Sequence, residues 1–476
     1  MRHAAGTLAG LVLLAAPVLA QEQGGLPPRR DSSIEMLVAD AASLPPEFEA
    51  DALLRISQLP KVDKAWRLEL LDTAYMRAYS APEQHRRSTN QQIPADSRQG
   101  AQLFAYATAL TRVTLQVRAV ELMAFVAPAH ARDLFEWIDL NLAAGTCADP
   151  LVPSVDEYYG ALGQIAQLAY RGDRFSALNF FELYLWRAHL PSEMPAVSRA
   201  IQRFPRGADT AAYLEGLFRL ILQGSTPDPP GFSSAALDIT ARMTDLQIAD
   251  TELGVVGSNV MDALRTYLLT QLKNPRCSDN VTAQVTPTTF NAAMRRARTG
   301  PDVRPMSDGD GRYAASMIGG AKIDMYWETA DAARLREAFL RLRGPGSTVY
   351  PLRVRQTAEW RVQADRLITD LEQWSGKSER DERDYFYQKA VLFTWMLDLM
   401  PASPVQSRAV HAFVEFLRRM ETDVNRRMLW FAFVNHLLEM AHGPYRADVL
   451  TAMEDSHQAT LALYARLERM APERRP

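Results

Sequence analysis

Apolar residues recur along nearly all of this 476-residue chain at spacings of three and four, and proline and glycine stand between the runs. Val62, Trp66, Leu70, Ala74 and Ala78 make one such stripe. Leu178, Phe181, Leu185 and Ala188 make a second, and Phe413, Phe416, Leu417 and Met420 a third. A turn of 3.6 residues brings positions so spaced onto one face, so each stripe reads as an amphipathic helix with one buried side. The breaks fall at Pro45-Pro46, Pro60, Pro128, Pro191, Pro205, Pro401 and Gly443-Pro444, residues that end helices. Ser32 and Glu35 read as a capping box ahead of Ile34, Met36 and Leu37. Two-residue alternation is scarce, with Val281 to Thr286 the best case for a strand. The pattern predicts an all-α protein of antiparallel helix pairs, each of about 35–45 residues, stacked as an α-solenoid or gathered into a multi-helix array.

One pair carries more detail. Tyr159, Leu162-Gly163, Gly172-Asp173, Ala177, Phe181 and Pro191 resemble the tetratricopeptide repeat, in which small residues let two helices pack closely. The resemblance covers this pair alone and implies local antiparallel pairing of the TPR or HEAT kind. Two irregular stretches are candidate boundaries. Ser80 to Gly100 is polar, with Asn90-Gln91-Gln92 and Pro94, while Arg298 to Gly311 holds two prolines, three aspartates and three glycines. Taking the second as the main joint gives a helical array over residues 31–297, a linker over 298–311 and a second array over 312–476.

The first residues speak to location. Arg2 and His3 precede an apolar run from Leu8 to Ala16; Pro17 and then Val18-Leu19-Ala20 lead to polar Gln21. That is the layout of a secretory signal peptide over residues 1–20, followed by a flexible linker over 21–30. The run is too short for the ~20 residues that cross a bilayer. The most apolar later run, Met428 to Val434, is seven residues long and ends at Asn435 and His436. We therefore expect an exported, periplasmic or extracellular protein with no membrane span. In such a compartment Cys147 and Cys277, the chain's two cysteines, are most simply one disulfide. Closing so long a loop would stabilise the fold by ~4–5 kcal/mol in the chain-entropy account. Two free thiols, or a nucleophile with a partnered histidine, are the alternatives.

Composition removes whole classes. With 47% hydrophobic residues, and 53 Lys+Arg against 56 Asp+Glu, the chain is neither disordered nor a basic nucleic-acid binder. Local catalytic signatures are missing too: no H-E-x-x-H, no G-x-S-x-G and no S-x-x-K occurs. Gly376-Lys377-Ser378 imitates the end of a Walker A loop, but Leu371 stands where its first glycine belongs, so a turn between helices is expected. Asp308-Gly309-Asp310-Gly311 offers calcium-like oxygens, but Arg312 occupies the next ligand position of an EF-hand and a solvated turn is the better reading. No cofactor-binding motif is found.

Glu439-x-x-His442 and Glu454-x-x-His457 form two Glu-x-x-His units, the arrangement that clamps metals in di-iron carboxylate bundles. Their offset along the hairpin and the polar surroundings of His457 argue against a shared metal. Exported superhelical lytic enzymes resemble this chain in being helical, but their Glu-Ser and Gly-Leu-Met-Gln signature is not found. Trp66, Trp137, Trp186, Trp395 and Trp430 sit within apolar stripes and are expected in the core.

Charge is most uneven between Arg334 and Arg366, where eight arginines face Glu337, Glu359 and Asp365. Arg334, Arg336, Arg341, Arg343, Arg353 and Arg355 are therefore a candidate anion-binding surface, set against an ordinary solvated helix face. Two functions stay open at this level. One is a non-catalytic scaffold that binds another extracytoplasmic protein. The other is an all-α hydrolase or lyase acting on polysaccharide through Asp/Glu catalysts that spacing cannot reveal.

Overall fold

The computed structural model describes residues 30–82, 86–88, 93–140, 142, 151–204, 208–226, 257–273, 276–277, 282–296, 303–307, 309–310, 317–318, 323, 325–327, 329–346, 348–376, 382–420, 426–440 and 445–471. The expected signal peptide and Cys147, and with it the proposed disulfide to Cys277, lie outside those residues, as does half of the 298–311 linker.

The protein is all-α. Its first helices are α1 (Ser32–Ala41), α2 (Pro46–Ser57), α3 (Lys64–Ala78), α4 (Arg98–Tyr106), α5 (Arg112–Ala124) and α6 (Pro128–Phe135). They continue with α7 (Asp156–Ala169), α8 (Arg174–Leu185), α9 (Met194–Arg203), α10 (Ala208–Gly224), α11 (Gly257–Lys273) and α12 (Thr282–Arg296). The later helices are α13 (Ala330–Arg343), α14 (Leu352–Arg355), α15 (Ala358–Gln373), α16 (Glu382–Leu399), α17 (Pro404–Arg419), α18 (Arg427–Met440), α19 (Arg446–Asp455) and α20 (Ala459–Met470). Extended structure among the described residues is limited to two small pairs and one isolated bridge between Ser97 and Met325. Strand β1 (Arg86–Ser88) runs antiparallel to β2 (Leu151–Pro153), and β3 (Arg276–Cys277) runs parallel to β4 (Met317–Ile318).

Local chemistry starts these helices where polar caps or prolines stand. Asp63 caps α3 by accepting from Trp66 N at 2.9 Å, Ser97 caps α4 through Gly100 N at 3.0 Å, and Thr329, Thr357 and Ser403 do the same for α13, α15 and α17. Pro46, Pro128 and Pro404 occupy first-turn positions, where a missing N–H costs nothing. The capping box expected from Ser32 and Glu35 does not form: Asp31 is the cap, accepting from Ser33 N at 2.9 Å, and Ser32 is already helical. The carboxylate at that position also meets the positive end of the helix dipole.

The stripes become the core. Trp66, Leu70, Ala74 and Ala78 are buried along α3, with Val62 buried in the turn before it. Of the strand expected over Val281 to Thr286, Val281 lies outside the described residues and Thr282 onward is α12, which buries Thr286, Phe290 and Ala293 at helical spacing. Burial of that longer helical face outweighs a few alternating residues. In the pair that resembles a tetratricopeptide repeat, α7 packs on α8 across a tight turn at Gly172, which has φ +91°. A Cβ at Gly163 would sit 3.9 Å from the Phe181 ring, so glycine shapes this approach without being obligatory.

Helices pack on their next-but-one neighbours in rows: α3, α5, α7 and α9 in one, α13, α15, α17 and α19 in another, with α16, α18 and α20 alongside. The first and last described helices meet. The last helix, α20, packs on α1 and α2, and α4 packs on α18. Phe48 of α2 lies 5.1 Å from Phe431 and 6.0 Å from Trp430, and Phe104 of α4 lies 5.1 Å from Phe433. At the centre of the closure, Asp51 accepts from Arg55 Nε at 2.8 Å, Arg118 Nη1 at 2.8 Å and Tyr464 Oη at 2.7 Å.

The irregular stretches are also tied down. Asp96 O accepts from Tyr326 N at 3.1 Å, and Arg98 pairs with Asp384 at 2.6 Å, so the segment before α4 crosses to the later helices. Asn291 of α12 exchanges two 2.8 Å hydrogen bonds with the backbone of Met306, holding part of the linker on that helix.

Candidate functional site

The arginine-rich segment folds as α13, a loop from Gly344 to Pro351, and the short α14. Along α13, two helical faces carry arginine. Arg334, Glu337 and Arg341 share one of them. Arg341 pairs with Glu337 at 2.9 Å, and Arg334 lies 3.7 Å from Asp370 of α15, all in largely exposed positions where such pairs contribute little. Arg336, Phe339, Leu340 and Arg343 share the other, at i, i+3, i+4 and i+7. This second face forms a wall of a cavity of about 540 Å³.

The remaining walls come from the loop and from α16. Gly344, with φ +132°, reverses the chain, and Tyr350 N donates to Arg343 O at 2.7 Å, which folds the loop back on the helix end. Arg355 then fastens it. Its Nε donates to Tyr350 O at 2.9 Å and its Nη1 to Leu399 O at the end of α16. Val349 stands at the rim, half exposed. Trp395 of α16 forms an aromatic wall, 5.3 Å from Phe339 and 6.0 Å from Trp327 between ring centres.

The charges are unevenly answered. Arg336 lies over the Trp327 ring at 5.3 Å and donates to Asp96 Oδ2 at 3.3 Å. Arg343 donates to Gly346 O. Among the described residues neither Arg343 nor Arg355 meets a carboxylate within ion-pair distance, and Nε of Arg336 and of Arg343 is buried without an acceptor. The one acid on the cavity wall, Asp398, has its Oδ1 3.0 Å from His436 Nε2. The lining is thus net positive, over an apolar floor of Phe339, Leu340, Trp395 and Leu399. Guanidinium groups present forked donors that match carboxylate or phosphate oxygens.

A smaller cavity of about 280 Å³ shows the contrast. Its Arg98 is answered by Asp384 at 2.6 Å, and its Arg426 by Glu382 at 3.4 Å.

Of the six arginines singled out by sequence, the structure brings Arg336, Arg343 and Arg355 together; Arg334 and Arg341 face elsewhere, and Arg353 is exposed on α14. The Glu-x-x-His candidates are not gathered. Glu439 is exposed at the end of α18, Glu454 pairs with Arg469 at 2.7 Å, and His442 lies outside the described residues. His457 falls beyond α19, with φ +56°, and so shares no helical face with Glu454. No cluster of three metal-ligating side chains occurs among the described residues. Gly376 lies three residues past the end of α15, in the left-handed region with φ +70°. Ser307 and Asp310 close a turn through Ser307 N and Asp310 Oδ2 at 2.7 Å.

Trp66 and Trp430 are core residues, as expected, but Trp137 and Trp186 are not: they are 70% and 50% exposed. Both stand just past a helix end, where the stripe no longer faces a neighbour. Trp395, also expected in the core, is half-buried on the cavity wall. Sequence reasoning missed Asp398 and His436 because they lie on separate helices, α16 and α18, joined only by the fold.

Compared with protein-family models, curated proteins and solved structures, the chain matches none. No described helix is long and apolar enough to cross a membrane.

Proposed function

We propose that this chain is an exported, non-catalytic scaffold of paired helices that binds another extracytoplasmic protein, and that the cleft of Arg336, Arg343 and Arg355 receives an acidic group of that partner. One observation carries the reading: three arginines converge on an apolar cavity, and two of them meet no carboxylate among the described residues. Their uncompensated charge favours an anion there, and aromatic walls favour contact area. Export rests on the amino-terminal pattern of the sequence. In-cell crosslinking of a tagged copy tests the reading, with an Arg343→Gln copy alongside. A partner captured by the native chain and lost from the variant is expected. Equal capture by both, or none by either, would remove the support.

A second reading, an all-α hydrolase or lyase acting on polysaccharide, has one observation in its favour. Burial, reinforced by the neighbouring charge of Glu157 and opposed by Arg118, pushes the Glu121 carboxyl up to about 7, the range of a general acid. Release of reducing ends from cell-envelope glycans by the native chain, and not by Glu121→Gln, would establish it.

A further inference from the structure

We infer that the cavity between α13 and α16 is selective for a carboxylate carried on an apolar body, such as an aryl-alkyl acid or the free C-terminus of a peptide with a large apolar last residue. The inference deepens the proposal above, because it names the chemistry that the same cleft recognises. Three features point to this class rather than to a bare anion.

The first is the split of the lining. Arg343 and Arg355 bring guanidinium groups to the lining, while Phe339, Leu340 and Trp395 bring apolar side chains, with the Phe339 and Trp395 rings 5.3 Å apart. Inorganic phosphate or sulfate would use only the former and leave the apolar wall facing water, with nothing recovered from its burial. The second is size. A cavity of about 540 Å³ lies within the range that small organic ligands fill, and is far larger than one tetrahedral anion needs.

The third is the number and placement of donors. Arg355 already spends N–H groups on Tyr350 O and Leu399 O, and Arg343 spends one on Gly346 O. Those bonds fix both guanidinium groups in place and leave each with N–H groups to spare, which suits a group with two acceptor oxygens. Asp398 on the same wall adds one negative charge against three arginines, which disfavours a dianion more than a monoanion.

Isothermal titration of the full chain with five probes tests this: 4-phenylbutyrate, its neutral amide, inorganic phosphate, and a short peptide ending in Leu-Phe in its free-acid and its amidated form. The acid is expected to bind at least tenfold more tightly than the amide or phosphate. Arg343→Gln is expected to weaken it by tenfold or more. Because that change also removes a loop hydrogen bond, a second variant uses the half-exposed rim. Val349→Glu brings a competing carboxylate to the same arginines and should abolish binding while the far-ultraviolet circular dichroism spectrum and melting temperature stay unchanged.

Stronger binding of the peptide acid than of phenylbutyrate would assign the source as a polypeptide terminus, and the reverse would assign a free acid; both support the inference. Phosphate binding as tightly as the acid, with both lost in Arg343→Gln, would overturn the carboxylate class and leave an anion site standing. Equal affinity for acid and amide, or an acid affinity untouched by either variant, would overturn the inference. A scaffold that captures its partner regardless of these variants would show that the partner binds elsewhere, whatever the probes do.

Discussion

Replacing Asp51 by asparagine removes the negative charge at the point where the first and last helices meet. Asp51 is 1% exposed and accepts from Arg55, Arg118 and Tyr464, so its carboxylate answers two guanidinium groups and one hydroxyl. An asparagine fits the same space but turns an amide N–H₂ toward at least one of these donors. Breaking a buried ion pair from one side costs about 3–5 kcal/mol. The arginine side chains here are 34% and 28% exposed, so water recovers part of that loss and the lower end, about 3 kcal/mol, applies. Tyr464→Phe, which removes a single hydrogen bond to a charged acceptor, should cost about 1.5–3 kcal/mol.

The assay is urea unfolding followed by tryptophan fluorescence, with the loss read from the midpoint at an unchanged slope. Its pH dependence gives a second check. Burial alone would raise the Asp51 carboxyl, but the charges of Arg55 and Arg118 and the hydrogen bonds from Tyr464 and Arg118 outweigh it and hold it well below the usual carboxylate range. A depressed folded pKa contributes stability above the unfolded value of about 3.9, and that contribution disappears as pH falls through the folded value. The gap between native chain and Asp51→Asn should therefore be flat from pH 8 to pH 5 and narrow below about pH 4. A loss under about 1 kcal/mol, or a gap that widens on acidification, would refute the argument that this cluster holds the ends together.

Three other outcomes follow from buried or strained groups. Lys389 Nζ donates to Trp374 O at 2.8 Å and Tyr385 Oη at 3.0 Å, and burial, aided by Arg419, pushes it down to about 8. A lowered base costs stability at neutral pH and less as pH rises from 8 toward 10.5, so Lys389→Met should gain most relative to the native chain below pH 8, by at most ~3 kcal/mol in urea titrations. The raised Glu121 carboxyl works the opposite way: stability falls as pH rises from 4.5 through about 7, and Glu121→Gln should remove that fall, worth about 2 kcal/mol at pH 8 in the same assay. At Gly376 a Cβ would stand 2.4 Å from the Tyr385 ring on a left-handed backbone, so Gly376→Ala should lower stability by at least ~2 kcal/mol, seen as an earlier thermal midpoint.

Helices were legible because their information is local. A stripe such as Trp66, Leu70, Ala74 and Ala78 needs nothing beyond its own spacing, and a proline such as Pro128 marks the next start by itself. The short β1–β2 pair was not legible, since Arg87 and Val152 meet across intervening helices and neither flank shows alternation. The closure was still less so: Tyr464 and Asp51 are 413 positions apart, and an acid on a predicted helix looks the same whether it meets water or an arginine from the far end. Trp137 and Trp186 show the opposite failure. Apolar neighbours in sequence placed them in the core, but a side chain at a helix end has no neighbouring helix to cover it.

The arginine segment divides along the same line, and shows what a sharper reading would use. Charge counting found the segment but treated all its arginines alike. On a helix of 3.6 residues per turn, Arg334 and Arg341 share a face with Glu337, an acid at the spacing that neutralises them. Arg336 and Arg343 instead flank Phe339 and Leu340. Arginines that continue an apolar stripe without an acid at i±3 or i±4 cannot be placed by solvation alone: the stripe draws them inward while their charge requires an acceptor. The helix therefore needs either a partner acid from elsewhere in the fold or an anion from outside it. Arg336 has the first in Asp96, at 3.3 Å. For Arg343 the described structure supplies only the Gly346 carbonyl, and that difference between two arginines on one face is why the proposed ligand is an external carboxylate.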